Sequence, residues 1–188
     1  MSSQSSPRDV FSQLFSVVGL YIVAIAFGVL LFQYIDLVFP DPLDYYSFGA
    51  AASTIRGAMA ALIIVFPIYL FLGILLHREE RAMPEKREGR LRKWLVYFTL
   101  FVAAAIITGD LIGVVYSFLG GDLTTRFVLK SLLMFVMTGT IFSYYLSLVR
   151  VAWAPSALRN FAGIVSCVVF VSVVVGFFTA GSPFLARK

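Results

Sequence analysis

The chain has 188 residues, of which 60% are hydrophobic and only 13% charged, and its mean hydropathy is +0.92. A soluble domain carries about a quarter charged residues, and a chain this short cannot bury so much apolar surface within itself, so the composition calls for a bilayer as solvent. The net charge of +5 does not point to nucleic acid, because seven of the fifteen Lys and Arg residues (Arg78, Arg81, Lys86, Arg87, Arg90, Arg92 and Lys93) crowd into one polar stretch between apolar runs. Positive charge in such a loop is the topology signal of a membrane protein.

In chain order, residues 1–9 form a polar tail in which Pro7 suits a helix start. The apolar run that follows, Val10 to Phe39, would measure about 45 Å as a helix, more than the roughly 30 Å hydrocarbon core, so its first turns are expected in the interface or the helix tilted. Pro40 and Pro42 stop it. Asp41 and Asp44 make the next segment acidic, and Tyr45, Tyr46 and Phe48 are rings suited to a headgroup boundary. A second span covers about 54–76, with Pro67 inside it as an expected kink. The basic loop, residues 77–93, leads through Trp94 and Tyr97 into a third span at about 94–118. Gly120, Gly121 and Asp122 form a turn, and a fourth span covers about 126–149. A short interfacial connection from Arg150 to Asn160 precedes a fifth span at about 161–180, and residues 182–188 close the chain.

The expected fold is therefore an all-α integral membrane protein. It is a bundle of five transmembrane helices in a single transmembrane domain, residues 10–181. Five spans put the termini on opposite sides. With the basic loop in the cytoplasm, where it can meet anionic lipid headgroups, the N-terminus is cytoplasmic too. The expected location is the inner membrane of a bacterial cell, as a multi-pass protein.

The chain resembles a bacterial membrane family catalogued as domain of unknown function number 5671. The stretches that carry the resemblance are FPDPLD at Phe39 to Asp44, STIRGAMAALIIVFP at Ser53 to Pro67, PEKREGRLRKWLVYFTLF at Pro84 to Phe101, GDLIGVVYSFLGGDLTTRFVLK at Gly109 to Lys130, and GFFTAGSP at Gly176 to Pro183. The resemblance implies a helical membrane protein of four or five spans and supplies no reaction and no assigned site.

Charges inside spans are the leads to function, since one costs about 2.5–3.5 kcal/mol at the bilayer centre on insertion scales. Four stand out: Asp36, Arg56, Asp110 and Lys130. Asp110 and Lys130 lie ten residues either side of the turn at Gly120, and Asp36 and Arg56 ten either side of Tyr46, so all four fall in the outer half of the membrane. They are expected to form a neutral network, with Gln33, three residues before Asp36, extending it. One reading makes Asp110–Lys130 and Asp36–Arg56 ion pairs that fix helix packing. A second makes them the lining of a polar cavity for an ion, a proton or a small solute. In a third, Asp36 and Arg56 simply snorkel to the interface. Small residues around Asp110, including a GxxxG pair at Gly109 and Gly113, and the row Gly139, Ser143 and Ser147, are expected to pack against other helices.

No catalytic motif is present: no GxSxG, no GxxxxGK[ST], no HExxH. Cys167 is the sole cysteine and His77 the sole histidine, so intrachain disulfides, cysteine metal clusters and paired haem histidines are excluded. Cys167 is expected to be a small buried packing residue, and no metal or cofactor is expected. The leading expectation is a non-enzymatic assembly or accessory subunit that packs with a membrane protein partner or with itself as a homo-oligomer. The alternative is a small transporter or channel built on the outer charge network around Asp110, and a membrane enzyme acting on lipid ranks last.

Overall fold

A computed structural model describes residues 7–39, 48–82, 90–121, 123–150 and 155–180. These form five helices and no strand among the described residues: α1 (Pro7–Val38), α2 (Phe48–Ala82), α3 (Arg90–Gly120), α4 (Thr125–Arg150) and α5 (Pro155–Ala180). Four contain stretches long and apolar enough to cross a membrane, Val10–Val38, Ala51–Leu76, Leu91–Gly120 and Thr125–Val149. The apolar stretch described in α5, Ile164–Phe178, is shorter. The protein is thus an all-helical, membrane-embedded bundle with four helices long and apolar enough to span and a fifth whose described apolar stretch is shorter.

The helices outrun the apolar runs at several ends. α2 begins at Phe48 rather than near Thr54, because Ala50, Ala51 and Ala52 are strong helix formers. It continues through His77 to Ala82, and α3 already starts at Arg90. Much of the expected polar loop is therefore helical: once a helix exists, each further residue with good propensity adds a hydrogen bond without a new nucleus. α2 also runs through Pro67 without ending, although the ring leaves the carbonyl one turn earlier without its helical donor. The expected connection from Arg150 to Asn160 is largely helical as well. α5 starts at Pro155, where proline's fixed φ suits a first helical position. The acidic turn at Asp41 and Asp44, Asp122, the centre of the basic loop and the C-terminal tail lie outside the described residues.

α1 is the organising helix. It packs most extensively on α2 and also touches α3, α4 and α5, while α3 packs on α4 and α5 on α2. The main core lies among α1, α2 and α5, built on Val23, Ala26 and Leu30, on Ile55, Ala58, Met59 and Leu62, and on Val169. Along α1 and α2 these recur at three- and four-residue spacing, so each of the two buries one stripe. The rest of the apolar surface stays outside, including Phe71, Phe101, Ile112 and Phe178, as a lipid-facing surface requires.

α5 is held at one close contact. A β-carbon added at Gly176 would lie 2.5 Å from Tyr34 Oη and 2.8 Å from Met59 Sδ, so any larger residue here makes Tyr34 and Met59 shift or moves the helix off α1 and α2. Beside it, Tyr34 Oη donates a 2.6 Å hydrogen bond to the Ser172 carbonyl. Cys167 is exposed rather than buried, because α5 lies at the rim and turns Val169, Ser172 and Gly176 inward instead.

Between α3 and α4 the chain reverses tightly. Gly121 takes φ +74°, a left-handed conformation that glycine adopts without a steric penalty, and its N–H donates to the Phe118 carbonyl at 3.3 Å. Thr124 caps α4: its Oγ1 accepts from the Phe127 N–H at 3.2 Å. This reversal fixes the depth of every charged residue at the start of α4.

Candidate functional site: an interhelical charge cluster

Asp36 lies in the last turn of α1, and Arg126 and Lys130 lie in the first two turns of α4. Four residues apart, the two bases share one face of α4, and that face meets α1. Both bond the same carboxylate oxygen. Arg126 Nη2 and Lys130 Nζ each reach Asp36 Oδ1 at 2.6 Å, and Arg126 Nε adds a contact of 3.1 Å. Lys130 Nζ also lies 5.7 Å from the centre of the Phe32 ring, one turn before Asp36 on α1, a cation–π position. The side chains retain 21–30% of their exposure, which places the triad at the edge of the bundle near the ends of both helices. Charge-assisted bonds this short are the strong kind, and here they tie the end of α1 to the start of α4.

A second polar contact ties α3 to α4. Ser131 is buried, and its hydroxyl donates to Asp110 Oδ1 at 2.7 Å. Asp110 is half-buried and ten residues before the end of α3, about 15 Å along the helix.

The expected network thus forms with different partners. Lys130 pairs with Asp36, not with Asp110. Asp36 pairs across to α4, not back along the first hairpin to Arg56. Asp110 bonds a serine, and Arg56 is exposed with no ion pair among the described residues. Gln33 is half-buried and makes no hydrogen bond to the cluster among the described residues. The reason is rotational. Equal distance from a turn fixes depth, but the direction in which each helix presents its charge depends on which neighbour it packs against.

Arg126 and Ser131 were the members hidden in the sequence. Arg126 reads as the boundary residue of the fourth span, and Ser131 as an ordinary small residue. A signal was present for Arg126: it stands four residues before Lys130, so the two share a helix face.

The small-residue rows behave unevenly. Ser147 is buried and donates to the Tyr144 carbonyl at 2.6 Å. Ser143 is exposed, and a β-carbon at Gly139 would meet nothing within 4 Å. The same open space surrounds Gly109 and Gly113, so the GxxxG pair makes no close helix contact among the described residues. Near the middle of α1, a further hydroxyl contact joins it to α3: Tyr21 Oη reaches the buried Thr99 Oγ1 at 3.5 Å, a long hydrogen bond. No group of three or more His, Cys, Asp or Glu residues able to hold a metal ion occurs among the described residues.

Neither a curated protein nor a solved structure matches the chain. A family pattern does: it covers residues 9–145, taking in Asp36, Arg56, Asp110, Arg126, Lys130 and Ser131 and leaving α5 beyond its end. On that match the chain belongs to the family described as domain of unknown function DUF5671.

Proposed function

We propose that this protein is a non-enzymatic assembly or accessory subunit of the inner membrane of a bacterial cell, whose intramembrane charges hold helices together. The observation that carries this reading is the use made of the acids. Asp36 takes two cations from α4, and Asp110 takes the hydroxyl of Ser131, so each joins α4 to another helix. The chain crosses the membrane five times, with α5 as the last span and the N-terminus in the cytoplasm. Support for that orientation comes from the seven basic residues at 78–93.

Charge repair tests the packing role. Asp36→Lys alone places three cations together and should unfold the protein at lower denaturant. Combining it with Arg126→Glu should recover much of the loss. A double variant as unstable as the single one would remove the tie from the account.

A transporter or channel is the second reading, and one observation favours it: Asp110 lies within a span with a hydroxyl partner and no ion pair among the described residues. In liposomes, Asp110→Asn should leave ion and solute flux unchanged if the first reading holds. Loss of a measurable flux with the fold intact would replace the first reading with the second.

A further inference from the structure

Two opposite charges inside the spans of one copy have no ion pair among the described residues. Arg56 on α2 is exposed and has no ion pair among the described residues. Asp110 on α3 uses one oxygen for Ser131 and is half-exposed. Each is costly against lipid. They do not meet within one chain, because α2 packs on α1 and α5 while α3 packs on α4 and α1.

Their depths match. The start of α2 and the end of α3 lie on the same side of the membrane, as consecutive antiparallel spans require. Arg56 is five residues inside the apolar stretch Ala51–Leu76, about 8 Å, and Asp110 is ten residues inside Leu91–Gly120, about 15 Å. The difference is one that the long guanidinium side chain can bridge.

The surfaces around the two charges also suit close approach. Ser53, Gly57 and Ala60, all exposed, share the face of Arg56. Gly109 and Gly113 flank Asp110, and neither they nor Gly57 would bring a β-carbon within 4 Å of another side chain or helix among the described residues. Small residues let helix backbones come near in a bilayer.

We propose that a second copy of this chain covers these faces, with Arg56 of one copy paired to Asp110 of the next. The pairing deepens the assembly reading above and rests on it. Every copy offers one of each charge at compatible depth, so association proceeds in the plane of the membrane. The contact joins unlike faces, and rotation about the membrane normal can close it into a dimer or ring.

The test uses full-length chains carrying donor or acceptor fluorophores, reconstituted into liposomes, with energy transfer followed as lipid dilutes the protein. Wild-type chains should associate. Arg56→Gln and Asp110→Asn should each weaken association about three- to twentyfold, the range spanned by interhelical polar contacts in membranes, and Arg56→Lys should retain most of it. Arg56→Asp and Asp110→Arg chains should each fail to self-associate yet associate when mixed, since each then supplies what the other lacks. Arg56→Gln matching wild type, swapped chains that mix no better than either alone, or wild type without energy transfer would each overturn the proposal. If wild type stays single but is recovered with a stoichiometric protein of another kind, the self-pairing fails and the assembly reading stands. If it is recovered with no protein partner at all, both fail.

Discussion

At the scale of single residues, the cluster is asymmetric: among the described residues Asp36 carries two bases and Asp110 none. Removing the shared acid leaves two cations facing each other at the bundle edge, whereas removing Arg56 takes away no ion pair found among the described residues. Full burial of such a pair would make the loss of one partner cost about 3–5 kcal/mol. With roughly a quarter of each side chain exposed, Asp36→Asn is expected to cost about 1–3 kcal/mol, and Arg56→Gln less than that in an isolated chain. Denaturant titration of the two variants in the same detergent checks the order. Replacing Asp36, Arg126 and Lys130 together with Asn, Gln and Met should cost less than Asp36→Asn alone, because no unpaired charge is then left behind.

At the scale of elements, α5 depends on a glycine. Gly176→Ala puts a methyl group 2.5 Å from a tyrosine oxygen that is itself held by the Ser172 carbonyl. Neither side yields easily, so the substitution should cost about 1–3 kcal/mol and raise hydrogen exchange in α5 before the other helices. Tyr34→Phe removes the obstructing oxygen, and in that background the Gly176→Ala penalty should shrink. Equal penalties in both backgrounds would show that α5 does not rest on this contact.

The elements also show what a sequence reveals. Helix positions were legible because long apolar runs cross a bilayer as helices and little else. Register was legible too: counting residues from the turn at Gly120 brings Asp110 level with Lys130, and Asp110 bonds Ser131 beside it. Direction was not. Lys130 faces α1 rather than α3, and Asp36 faces α4 rather than α2, because α1 touches all four other helices and one of them had to receive its last turn. Helix ends were missed at His77–Ala82 and at Pro155, where helix continues on propensity and a favourable first residue after the apolar pattern has stopped.

At the scale of the whole molecule, most apolar side chains of α3 and α5 face outward, so the bundle is a thin assembly with much surface for lipid or partners. The orientation proposed for it is testable with a membrane-impermeant thiol reagent in a Cys167→Ser background. Cysteines placed at Ser47 and Ser182 should react from outside the cell, and one at Met83 should not; the reverse pattern would invert the topology.

The most direct measurement of the central claim is native mass spectrometry of the protein extracted gently from its own membrane. The assembly account expects a stoichiometric complex, either of several copies of the chain or with another membrane protein. A single chain holding a small ligand that disappears in Asp110→Asn would contradict it and make the protein a transporter or channel.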